Sequence, residues 1–114
     1  MIGIADPQTQ AGGAKISNLA AKLGANATGV AIEPAPGLGF AGAAVLDAQG
    51  QIAGLVELKP IVVAGPAPTS AQAALVSSAS IRKFLEIQKV AAVTGRTTAE
   101  QAKASIVRVI CVRK

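Results

Sequence analysis

At 114 residues the chain suits one domain, or half of a larger one. Its net charge of +5 is spread out, with Arg82-Lys83 and Arg113-Lys114 as the adjacent basic pairs, and two Phe with no Tyr or Trp leave little to stack on bases, so no nucleic-acid partner is expected. The absence of histidine and the single cysteine, Cys111, exclude an internal disulfide, a histidine or multi-cysteine metal site, and a Ser-His pair within this chain.

Apolar residues make up 51% of the chain, nearly all of them Ala, Val, Ile and Leu. The core must be assembled from small aliphatic side chains, each burying modest area. No apolar run approaches the ~18 residues of a membrane span, and no signal peptide is visible.

In chain order, Ile2-Gly3-Ile4-Ala5 reads as a short strand closed by the turn signal Asp6-Pro7, and residues 8–13 as a polar loop. Residues 14–23 stay open between a strand at Lys15-Ile16-Ser17 and a helical turn at 19–23, with Gly24-Ala25-Asn26 as a break. Residues 28–33 read as a strand with Val30 and Ile32 on one face. Pro34 and Pro36 push the residues before them towards extended backbone, so the chain enters the next loop stretched.

That loop carries Gly37, Gly39 and Gly42. It feeds an apolar run, Ala43-Ala44-Val45-Leu46, then a turn, Asp47-Ala48-Gln49-Gly50, then a second apolar run over residues 52–58. Two such runs around a turn with Asp and Gly predict a β-hairpin. A glycine-rich loop ahead of a rigid hairpin is a place where proteins put binding or catalytic groups. Asp47 is read as a turn residue.

Pro60 should end the hairpin's second strand, with Ile61-Val62-Val63 as further strand and 65–72 as a surface loop. Residues 73–76 are a short strand leading into a helix over 81–88, capped by Ser77, Ser78 or Ser80. Ile81, Phe84 and Leu85 have the spacing of a core-facing stripe, which leaves Arg82, Lys83 and Glu86 in water. Thr97-Thr98-Ala99-Glu100 fits a capping box for a short helix to about Ala104. Residues 105–112, with Cys111 as an inert thiol and Arg108 near an edge, read as a strand buried on both faces. The class is mostly β: a small six- to seven-stranded antiparallel barrel with one or two short helices.

Gly39-Phe40-Ala41-Gly42-Ala43-Ala44-Val45-Leu46-Asp47, followed by Gly50-Gln51-Ile52-Ala53-Gly54-Leu55, resembles the nucleophile loop and hairpin of trypsin-like serine endopeptidases. The bacterial high-temperature-requirement branch is the most similar. That family reads Gly-x-Ser-Gly-Gly, then small and aliphatic residues, a turn, and a strand with an internal glycine. Ala41 stands where the serine belongs, and Ala43 replaces the second glycine. The segment 2–17 is similar to the family's crossing into its second barrel, and 73–76 with 81–85 to its late strand and the helix after it. The resemblance covers roughly residues 2–90 and implies a division into 1–90, a second β-barrel, and 91–114, a short helix and strand of no assigned role.

The resemblance further implies a chain without catalytic residues, since the serine is Ala41 and the family's His and Asp belong to a first barrel. The backbone N–H groups of Gly39 and Ala41 match the oxyanion-hole positions, so Gly37, Gly39, Phe40, Ala41 and Gly42 form a candidate binding loop. A binding or assembly module is the first reading, with a peptide or protein partner, or association with another chain or a missing N-terminal barrel. An endopeptidase fragment with Ser→Ala at position 41 is the second. A structural, envelope-associated module whose basic surface meets acidic polymer is the third. No cofactor is expected. The six carboxylates are dispersed, although Glu33 and Glu57 could meet across strands, and neither a P-loop nor a dinucleotide fingerprint is present.

Overall fold

Short apolar runs separated by Gly and Pro favour strands over helices, and the computed structural model, which describes residues 1–4, 15–26, 29–59, 72–93 and 95–107, bears this out. The described residues form β1 (Ile2–Ile4), β2 (Ile16–Asn18), β3 (Lys22–Asn26), β4 (Gly29–Glu33), β5 (Ala44–Leu46), β6 (Ile52–Lys59) and β7 (Gln72–Ser77). Two helices follow, α1 (Ser78–Ile87) and α2 (Ala99–Lys103). The strands make one antiparallel sheet in the order β2-β1-β5-β6-β7-β4-β3.

The sheet is curled into a half-barrel, and its connectivity explains why. β2 and β3 lie at opposite ends of the sheet order, yet only residues 19–21 join them. Four Cα steps reach at most about 14 Å, whereas six flat interstrand spacings would separate the two edges by about 29 Å. The sheet must bend until its edges approach. No pairing joins β2 to β3 among the described residues, so the curl stops short of a closed barrel.

Alternation along the central strands assigns the two faces. Phe40, Ala43, Val45 and Val56 form the inner core with Ile32 and Ala73. Leu58 and Leu75 pack against them. A Cβ at Gly3 would lie 2.8 Å from the Phe40 ring, so the ring occupies the space a side chain would need. Ile2, Ile4, Ala44, Leu46 and Leu55 instead line a groove on the other face. Ile2 and Ile4 are themselves buried. The central strands therefore carry apolar residues on both faces.

The hairpin turn is built from Asp47. Its Oδ1 accepts the N–H of Gln49 at 2.9 Å and of Gln51 at 2.8 Å, as a turn aspartate does. Gly50 N–H donates to the Asp47 carbonyl at 3.1 Å, with Gly50 at φ 74°. The register slips by one between Val45 and Leu46, which makes Ala53 the extra residue on β6.

Elsewhere the structure departs from local reading. Gly24, Ala25 and Asn26 continue β3 rather than break it, because each pairs with a residue of β4. No helical turn forms at 19–23, where the cross-strand ladder begins at Lys22. In α1, Ile81 and Leu85 are half-buried, but Phe84 is 60% exposed, since the helix meets β6 and β7 along a narrow line. Ser77 is the α1 cap, accepting the Ser80 N–H at 3.2 Å. The α2 capping box is one residue later than Thr97-x-x-Glu100: Thr98 and Gln101 exchange the two bonds at 3.2 and 3.0 Å. Residues 105–107 leave α2 in a turn rather than a strand, with Ser105 and Ile106 N–H groups still donating to α2 carbonyls. The expected strand at 61–63, and Arg108 and Cys111 in the remainder of 105–112, lie outside the described residues.

Candidate binding groove

The loop ahead of β5 is a tight turn in which the N–H groups of Phe40, Ala41, Gly42 and Ala43 are all hydrogen-bonded. Phe40 N–H donates to the Gly37 carbonyl at 3.0 Å, and Ala41 N–H to the Leu38 carbonyl at 3.1 Å, giving one 3₁₀ turn over Leu38–Phe40. Ala43 N–H then donates to the Phe40 carbonyl at 3.0 Å. Ala41 at φ −58°, ψ 124° and Gly42 at φ 75° are the central residues of a type II β-turn. The second central position needs positive φ, which is why a glycine stands there. Two bonds to β6, Gly42 N–H to the Val56 carbonyl at 2.8 Å and Val56 N–H to the Ala43 carbonyl at 2.9 Å, lock the turn to the sheet.

This geometry sorts the five loop residues. Phe40 is buried in the inner core, 3% exposed, and serves the fold. Gly37 supplies the carbonyl that closes the 3₁₀ turn. Gly39, Ala41 and Gly42 line a groove of about 970 Å³. Ala41 is exposed there, but its N–H is already bonded to Leu38. An incoming carbonyl or carboxylate could take that donor only if the 3₁₀ turn opened.

The floor of the groove is the outer face of β1, β5 and β6, through Ile2, Ile4, Ala44, Leu46 and Leu55. The glycine loop with Leu38 forms one wall, and the tail with Val93, Arg96, Ile106 and Val107 forms the other. Thr97 N–H donates to the Gly50 carbonyl at 2.9 Å, tying the tail to the hairpin turn, and α2 rests against β1. Arg96 is the charged residue among the described residues lining the groove. At the rim Leu38 is 81% exposed, Val93 98% and Val107 82%.

No family model, curated protein or solved structure matches the chain. What the groove can do must be read from its own chemistry. Among the described residues no three His, Cys, Asp or Glu gather to hold a metal ion, and no helix is long and apolar enough to cross a membrane. Glu33 and Glu57 do not meet: they lie on β4 and β6, with β7 between them. Among the described residues the site offers no acid–base pair and no nucleophile at position 41; those residues offer apolar surface, the Arg96 guanidinium and a hydrogen-bonded turn. Sequence reasoning found the turn but not the tail wall. The signal available was the cluster of aliphatic residues with no periodic partner around Val93 and 106–107.

Proposed function

We propose that the chain is a non-catalytic half of a trypsin-like peptidase fold that works as a binding or assembly module. The observation that carries this reading is the groove: the glycine loop that resembles a nucleophile loop, with alanine in place of serine, forms one wall of an open apolar trough with Leu38 at its lip. Apolar surface left in water is a driving force for association, at about 25 cal/mol per Å² covered. Sedimentation over a wide concentration range, joined to binding of a leucine-rich peptide, tests the reading. Leu38→Glu should weaken self-association or peptide binding about tenfold or more, because it places a charge where an apolar contact formed. A wild-type chain that stays monomeric and takes up no such peptide would refute the proposal.

One observation favours a second reading, that of an endopeptidase fragment whose serine has become Ala41. The Ala41 side chain is exposed on the groove wall, so a hydroxyl at that position would face whatever lies in the trough. Ala41→Ser, assayed with a His- and Asp-bearing barrel supplied as a separate chain, should then restore peptide or ester hydrolysis. No turnover in that pair removes this reading and leaves the first intact.

A further inference from the structure

We infer that a second groove beside the first is a carboxylate clamp, in which Arg82 and Arg96 grip an acidic residue of an otherwise apolar partner peptide. The inference rests on the reading of the chain as a binding module and names its partner by chemistry. The second groove, about 680 Å³, lies between α1 and the tail. Ile81, Arg82 and Leu85 line it from α1, Ile52 from β6, and Val93 and Arg96 from the tail. Ile52, Val93 and Arg96 line both grooves, so an extended segment can run from one into the other across Arg96.

Among the described residues, Arg82 and Arg96 are the charged residues lining the two grooves, so the described charge along this path is of one sign. Neither is within ion-pair distance of a carboxylate among the described residues, where the ion pair formed is Lys103–Glu100. The described residues include Glu33, Asp47, Glu57, Glu86 and Glu100, which are all the carboxyl side chains of the chain except Asp6. Guanidinium groups present planar donor forks that match a carboxylate, and here one lines the groove from α1, Arg82, and one from the tail, Arg96.

The apolar residues say what carries the carboxylate. A small free anion would leave Val93, at 98% exposure, and Ile52, at 53%, in water. A peptide with aliphatic side chains flanking its acid covers them. A nucleic acid would need stacking platforms, and neither lining contains an aromatic residue.

The test uses the full chain and a fluorescent hexapeptide of alternating leucine and glutamate, with its leucine–glutamine counterpart, read by anisotropy. The acidic peptide should bind saturably and release as salt is added. The glutamine peptide, and the acidic peptide on Arg82→Gln or Arg96→Gln, should bind about tenfold more weakly. Arg→Lys at either position should fall between, because the charge remains and the fork is lost. Both arginines are exposed, so thermal melts of the variants should match wild type. If both peptides bind alike, or the arginine variants bind as wild type does, the clamp is wrong. When Leu38→Glu still weakens binding in that case, the binding-module reading survives without it. If neither peptide binds, the clamp is wrong, and the binding-or-assembly reading is then decided by whether the wild-type chain self-associates in sedimentation.

Discussion

Gly54→Ala should lower stability by about 3 kcal/mol, close to the largest effect expected of a single methyl group. Gly54 sits in the middle of β6, paired with Val45 on one side and Ser77 on the other. A Cβ built there would overlap the Val76 carbonyl oxygen of β7 and lie 2.9 Å from the Leu75 side chain. Relief would require β7 to move, and β7 joins β6 to β4 at the centre of the sheet. For a domain of this size the thermal midpoint should fall by about 12–24 °C. Gly24→Ala is the matched control. Gly24 lies on the edge strand β3 with nothing near its missing Cβ, so the change should stay within about 0.5 kcal/mol. Equal melting of the two variants would mean that β6 and β7 do not pair as described.

Gly50→Ala should cost about 2–3 kcal/mol and detach the tail from the hairpin. Two demands meet at this residue. Its φ of 74° lies in the left-handed region, and a Cβ there would overlap the Thr97 carbonyl oxygen. Gly50→Asn separates them, because asparagine tolerates the backbone conformation but still carries the Cβ. Both variants should lose hydrogen-exchange protection at the Thr97 amide, which donates to the Gly50 carbonyl. The amides between β6 and β7 should keep their protection relative to the global unfolding limit. If Thr97 remains protected in Gly50→Ala, the tail is held by something other than this contact, and the tail wall of the groove does not depend on the turn.

The hairpin was legible because its signals are local. Asp47 and Gly50 define the turn within four residues, and the apolar runs on either side are long enough to show strand character. The α2 cap was legible to within one residue for the same reason, since Thr97-x-x-Glu100 and Thr98-x-x-Gln101 both satisfy the pattern. Choosing between them required Thr97, whose N–H is engaged by Gly50 far back in the chain. Gly24-Ala25-Asn26 read as a break because its residues favour turns, and only the ladder to β4 overrides that preference.

The amino-acid sequence by itself determined a mostly β chain of small aliphatic side chains, without histidine, with a glycine loop ahead of a turn-closed hairpin. Each of those properties is a matter of composition or of neighbours a few residues apart. Tertiary structure decided which face of β1, β5 and β6 meets the core, that the sheet curls without closing, and that Val93, Arg96, Ile106 and Val107 wall a groove against the loop. Those outcomes rest on pairings between segments tens of residues apart. Their energy comes from area covered and hydrogen bonds completed across the fold, which no window along the chain contains.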